Sequence, residues 1–426
     1  MTDSLMSIFY KQGQFVEAID FASDDERKHF NDWDYLFLAR CFYKTKRFQD
    51  YIELYKEFHK KYPDSDKLDN NLGWCLYHVF LKNFDFETGN RNQYLKQVDF
   101  ILNHSDNSQY SPKSFVALRA ADAVFKSKLA VNPDYELGNK YLSLVDPLSL
   151  DLEERIFEVD GRTVRTSSER EQWYNRKTKA LEKMGQYEEC IAFIDDAFKN
   201  VDIFHNNGDH WLNYRRALCY YNLGDLDKSE KTVNDILRRF SHWCLYGLLF
   251  EISVAKNDTD AAIRYGAICS LADKNHKLRV SFYEKYGAFL LHNGFPREAV
   301  LHYKLAEIIR QEEGWKDIRL PDGFSYPEEA WDLDKKAILK ELVPFWKKQT
   351  EHGIAFYEGV IERIQPEGKS GFIQSDDGNS YYFNIRDFTH KVNDLQVGRH
   401  VRYTLKERFN KKRNEMTLNA VQINYI

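Results

Sequence analysis

Proline and glycine are scarce in this chain, at 9 and 20 of 426 residues. Both interrupt helices, so their scarcity argues against a loop-rich or all-β protein. The six cysteines, Cys41, Cys75, Cys190, Cys219, Cys244 and Cys269, include no CxxC pair, and most lie in apolar stretches of helical character. That pattern suits buried free thiols in a reducing compartment and makes a zinc site improbable. No run of 18 uncharged apolar residues occurs, and the opening MTDSLMSIFYKQGQF lacks the basic-then-apolar pattern of a leader. A cytoplasmic location is therefore the expectation.

Excess positive charge is also missing. The formal net charge of −5 excludes a surface built throughout for nucleic acid, yet leaves room for one basic patch. GxxxxGKS/T, HExxH, GxSxG and a contextual GxGxxG are all absent. His205 and His210 in HNNGDH have no third ligand at a metal-site spacing. DSDKLDNN (Asp64 to Asn71) lacks the central glycine and closing glutamate of a calcium loop. We expect no enzyme, no cofactor and no metal.

What is present is repetition. YKQGQFVEAI from Tyr10 and YKTKRFQDYI from Tyr43 match at the Tyr, Lys, Phe and Ile positions, 33 residues apart. Similar corners return as MGQYEECI, LGDLDKSE, KNDTDAAI and HNGFPREAV. Their turn residues Gly185, Gly224, Asn257 and Gly294 are spaced by 39, 33 and 37. Each corner reads as helix, tight turn, helix, with Gly or Asn supplying the left-handed residue that ends the first helix. A small side chain recurs early in the second helix: Ala18, Cys190, Ser229, Ala262 and Ala299. Trp211 to Gly224 and Tyr283 to Gly294 carry apolar residues at helical spacing.

On these corners and this period, residues 1–85 and 175–310 resemble the tetratricopeptide repeat family. The likeness implies a solenoid of helical hairpins that offers a surface to a protein partner. The pattern weakens over 86–170. Helices are still expected at 111–130 and 135–145, and Asp160–Gly161 within FEVDGRTVRT signals a β-hairpin. Ser168 and Glu171 form a capping box for the next helix. Gly314 to Trp331 reads as a linker. A helix is expected from Pro327 to about Thr350, kinked or broken by Pro344.

From about Ala355 the texture changes to alternating strands at roughly 355–364, 371–375, 380–385, 400–407 and 416–424, with Asp377–Gly378 as a hairpin turn. Five short strands suggest a small OB-type barrel. The fold expected is mainly α: an α-solenoid of divergent tetratricopeptide-like hairpins (1–313), a linker and connecting helix (314–352), and a five-stranded OB-type barrel (353–426).

The last segment resembles the cold-shock domain family. Gly359 to Ile373 aligns without gaps to that family's opening strand and first RNA-binding motif. The motif is usually Lys-Gly-Phe-Gly-Phe-Ile and here Gly-Lys-Ser-Gly-Phe-Ile, residues 368–373. YYFNI (Tyr381 to Ile385) occupies the second motif. VGRHVRYTL and LNAVQI resemble the later strands. The chain departs from the family at four places: Arg363 stands for an exposed Trp, Ser370 for an aromatic, Asn384 for a His and Ile385 for a Phe.

Strand alternation turns Ile373 and Phe383 inward and leaves Phe372 and Tyr382 outside, where unstacked bases can stack on them. Arg363 can stack on a base or pair a phosphate, and Asn384 can bond a base edge. Lys369 belongs to the first motif. The segment KERFNKKR, with Arg408, Phe409, Lys411, Lys412 and Arg413, is expected to be a cationic loop that holds phosphates. The implied function is a non-catalytic adaptor. It binds single-stranded nucleic acid, RNA ahead of DNA, through the barrel and a protein partner through the repeats, in a role such as stress response or defence, without a membrane. The competing reading is a protein-only scaffold. It makes Phe372 and Tyr382 interface aromatics, Arg363 half of a surface ion pair and residues 406–413 a solvated loop.

Overall fold

The computed structural model describes residues 4–108, 111–126, 132–159, 161–273, 275–390, 395–410 and 415–426. The chain divides into two compact units, Met1–Ser241 and His242–Ile426. The protein is mostly helical, with a closed five-stranded barrel at its C-terminal end.

In the first unit the helices pair as hairpins, among them Asp32–Lys44 with Phe48–Lys61, Glu169–Lys183 with Tyr187–Asn200, and Gly208–Asn222 with Leu226–Leu237. In the second, Trp243–Ala255 pairs with Thr259–Leu271, and Val280–His292 with Pro296–Glu312.

Each corner is built the same way. Gly13, Gly185, Gly224, Asn257 and Gly294 all have positive φ. The following N–H reaches the carbonyl five residues back, as in Gln186 to Leu181 (2.9 Å) and Asp225 to Tyr220 (2.9 Å). This closes the orphan carbonyls of the first helix. The small residue five positions after the turn is fully buried at Ala18, Cys190, Ser229, Ala262 and Ala299. Cys190 and Ser229 each bond a carbonyl twelve residues back, those of Thr178 (3.2 Å) and Ala217 (2.8 Å).

The corner at residue 46 departs twice. Lys46 takes φ 61° without being glycine, and Tyr51 replaces the small residue. Tyr51 is nevertheless completely buried and donates to the Leu68 carbonyl (2.9 Å).

Between these repeats, helices Lys113–Phe125 and Tyr135–Ser143 precede a two-stranded hairpin of β1 (Arg155–Val159) and β2 (Arg162–Thr166). Gly161 has φ 73°, and Asp160 lies outside the described residues. The Ser168–Glu171 capping box is present. Glu171 also takes His205, at 2.7 Å from the backbone N–H and 2.6 Å from Nδ1, so this loop histidine has a structural partner.

In the second unit the segment read as a linker is strapped down. Its Ile318, Leu320, Phe324 and Tyr326 pack on the helical core. Two helix expectations need correction. Pro327 opens only a single 3-10 turn, Glu328–Ala330, and the helix proper is Lys335–Gln349, capped by Asp334. It also runs unbroken through Pro344 to Gln349, so the proline does not break it.

The reason is tertiary. Trp346, two residues past the proline, is fully buried, stacks on Tyr283 (5.9 Å, 5°) and donates Nε1 to His302 Nε2 (2.9 Å). Anchoring of this kind outweighs a local cost of about 3 kcal/mol. Indole N–H can only donate, so His302 Nε2 accepts. The proton then sits on Nδ1, which donates to the Glu298 carbonyl (2.6 Å). Burial lowers the pKa of this neutral imidazole to about 4.

The barrel strands are β3 (Tyr357–Ile364), β4 (Ser370–Ser375), β5 (Ser380–Asn384), β6 (His400–Asn410) and β7 (Glu415–Tyr425). They close in the order β3-β4-β5-β7-β6, with β5–β7 parallel and the other pairs antiparallel. Ile361, Ile373, Phe383, Val401, Tyr403, Ala420 and Ile423 fill it.

Two outcomes follow. Lys46→Gly should raise stability by about 1 kcal/mol in urea unfolding, because glycine removes the left-handed strain; a loss would mean that the lysine side chain's contacts outweigh it. His302 titrates at 6.5 unfolded and about 4 folded, so the unfolded chain binds the extra proton between those values. Its contribution is complete above pH 6.5 and falls by about 3 kcal/mol toward pH 4. Unfolding of wild type and His302→Gln across that window should show the steeper fall in wild type.

Candidate nucleic-acid interface

One turn and one bulge set the strands that carry the candidate residues. At the β4–β5 turn, Asp377 accepts the Asn379 N–H (2.9 Å), which holds its carboxyl below the usual carboxylate range. Gly378 there takes φ 86°. The register that results pairs Ser370 with Asn384, Phe372 with Tyr382, and Gln374 with Ser380. A bulge between Ile361 and Arg363 in β3 then places Arg363 opposite Phe372.

The alternation is as the sequence implies. Ile373 and Phe383 are fully buried, Phe372 is half-buried and Tyr382 is 37% exposed. Arg363, Phe372 and Tyr382 form one row across three strands. The two rings meet edge to face (5.6 Å, 72°), and the exposed Arg363 guanidinium lies 4.7 Å from the Phe372 centroid. A planar cation thus covers one ring while Tyr382 offers the other.

Glu362, Gln374 and Ser380 flank the row, with Ser380 donating to Glu362 (2.9 Å). The sequence reading did not single these out, although the same two-residue alternation along β4 and β5 marks Gln374 and Ser380 as outward. Lys369 is exposed on the loop before β4.

The remaining candidates have structural partners or another setting. Asn384 caps the 3-10 turn Ile385–Asp387, its Oδ1 accepting the Arg386 N–H (3.0 Å). Arg408 is not in a loop: Lys406–Asn410 lie within β6, because the β6–β7 hairpin extends further than the alternation suggested. Arg408 forms a two-pronged ion pair with Asp387 (3.1 and 2.8 Å), whose side chain is 7% exposed. Phe409 pairs through its backbone with Met416. Lys411, Lys412 and Arg413 lie outside the described residues. From residue 353 onward the sequence holds eleven lysines and arginines against nine aspartates and glutamates, in a chain whose net charge is −5.

Comparison with known proteins bears on the helices. A tetratricopeptide repeat model matches residues 38–65, most of the hairpin around the Lys46 corner. No curated protein matches the chain. Among solved structures, pilF of Pseudomonas aeruginosa is 10% identical, over 60% of this chain and 92% of that one, with a TM-score of 0.28. A tetratricopeptide repeat protein from Parabacteroides merdae is 13% identical over 64% and 92%, at 0.28. The human IFIT1 dimer with PPP-AAAA is 12% identical over 72% and 68%, at 0.37. At these scores none of them bears on the barrel face. Among the described residues no helix is long and apolar enough to cross a membrane.

Removing Arg408 strands a mostly buried carboxylate. Arg408→Ala should therefore cost the fold about 2 kcal/mol, and Arg408→Ala/Asp387→Asn should recover part of it. Equal stability of wild type and Arg408→Ala in urea unfolding would free this arginine for a phosphate role.

Proposed function

We propose that this protein is a non-catalytic adaptor whose barrel binds single-stranded nucleic acid, RNA ahead of DNA, and whose helical hairpins bind a protein partner. The observation that carries the reading is the Arg363–Phe372–Tyr382 row, solvent-facing on an OB-ordered barrel. Aromatic and guanidinium planes on a strand face suit unstacked bases, each worth about 1–3 kcal/mol, and need no base-specific contact. The cold-shock resemblance of residues 359–385 supports the same face. Arg363 in place of an aromatic favours a base that stacks on the guanidinium, with Phe372 as its backing. The tetratricopeptide match supports the protein-binding role of the helices.

A protein-only scaffold would be favoured by a connecting helix lying over the barrel face. Instead, Ile338, Leu342 and Trp346 of that helix are spent on the helical core, and Tyr382 remains exposed.

Fluorescence anisotropy with labelled single-stranded RNA and DNA tests the proposal. Phe372→Ala/Tyr382→Ala should weaken binding tenfold or more per lost stacking partner while leaving the melting temperature nearly unchanged. Affinity that is indifferent to this double substitution would overturn the assignment of the face.

A further inference from the structure

The Met1–Ser241 unit gathers cations that the sequence scatters over residues 82–215. At one end is a cavity of about 250 Å³. The π-helical turn Tyr77–Leu81 forms part of its wall, a rare element that concentrates at functional sites. Tyr77, Phe86 and Tyr94 supply rings, and Lys82, Arg119 and Lys126 supply positive charge. The Arg119 guanidinium lies 4.7 Å from the Phe115 centroid and donates to the Tyr77 hydroxyl. Tyr94 is only 5% exposed and packs its ring against Phe84 (4.8 Å) and Phe86 (5.6 Å).

The one carboxylate on the wall, Asp122, is already held by Arg176 through two bonds of 2.9 and 2.7 Å. Beyond Arg176, on the same helix, stands Lys179, and across from it Arg215. Arg215 is bound to Asn175 (3.0 Å) and Thr178 (2.8 Å), with Glu182 at 4.0 Å. Among the described residues Lys82, Arg119, Lys126 and Lys179 form no ion pair. Burial first, and Arg215 second, hold the Lys179 ammonium below its usual pKa. Cations crowded in this way are relieved by an incoming anion.

We propose that this trough is a second nucleic-acid site: the phosphates of a single strand lie along Lys82, Arg119, Lys126 and Lys179, and one unstacked base enters the aromatic cavity. An acidic peptide would satisfy the cations but has no use for a slot walled by three rings. The cavity also falls below the roughly 300–1,000 Å³ of whole-ligand pockets, which suits one base of a longer chain. This site stands whether or not the barrel face binds.

The test uses the full chain carrying Phe372→Ala/Tyr382→Ala, so that the barrel row is silent. The probe is a 3′-labelled single-stranded RNA of about twelve nucleotides. Residual, salt-dependent binding is expected. Lys82→Ala/Arg119→Ala should lower it tenfold or more and reduce the slope of log affinity against log salt by roughly 0.7 per lost phosphate contact. Lys126→Glu, at an exposed position on the cavity wall, should weaken binding in the same direction with the melting temperature unchanged.

The proposal is overturned if the barrel variant binds no RNA, or if both trough variants keep its affinity and slope. It is also overturned if poly-glutamate displaces the probe as well as unlabelled RNA does, which would make the trough a protein site. Displacement by a nucleoside monophosphate as effectively as by the strand would make it a small-molecule pocket and overturn it too.

Discussion

The helical hairpins that turn at Gly13, Lys46, Gly185, Gly224, Asn257 and Gly294 each depend on one residue held in the left-handed region of backbone space. That residue stops the first helix, and the next N–H closes it by reaching five residues back. The chain is then aimed so that a side chain five positions on meets the first helix. Where that side chain is alanine, the helices touch through it. Where it is Cys190 or Ser229, a hydrogen bond to the facing carbonyl adds to the contact. Tyr51 shows that the constraint lies in the turn rather than in the small residue. The ring is accommodated whole once its hydroxyl finds the Leu68 carbonyl.

The barrel rests on a different constraint, the close approach of β3 and β4. A Cβ at Gly371 would stand 2.3 Å from the Arg363 carbonyl oxygen and 2.8 Å from the Phe383 ring. Only glycine lets the strands close there, and that closure brings the Arg363 guanidinium over Phe372. The packing requirement inside the barrel and the cation–ring contact outside it therefore share one residue. Phe383 fills the core behind Gly371 while its neighbour Tyr382 faces solvent, so the alternation that builds the core also builds the row.

Local patterns were legible, and long-range ones were not. Gly185, Gly224, Asn257 and Gly294 are turn residues by chemistry, and strand alternation separated Phe372 from Ile373 correctly. Lys46 carries no such signal, because its left-handed backbone is imposed by the helices on either side. That the helix is not broken at Pro344 has a similar reason: the hydrogen bond from Trp346 to His302 spans 44 residues and is invisible to a local rule. The reach of β6 past residue 407 reflects pairing with β7, which turn propensity alone could not supply. Asp387 gave no hint that it would pin Arg408, since the two residues meet only after the barrel closes.

Net charge conceals more than it tells in such a chain. A protein of net charge −5 is expected to repel a polyanion, yet field strength in a cleft depends on the charges that line it rather than on the total. The cations of the first unit are brought together by helix packing from four separate segments, whereas the barrel face offers one guanidinium and two rings. These are different currencies of binding. The proposed stacking on Phe372 and Tyr382 would draw on dispersion and desolvation, which salt hardly screens. Phosphate capture along Lys82, Arg119 and Lys179, as proposed, would release counterions and weaken steeply as salt rises. If both faces bind as proposed, ionic strength separates them: a strand held mainly by stacking on the barrel would keep its affinity in high salt, and one held mainly by the cations of the helices would not.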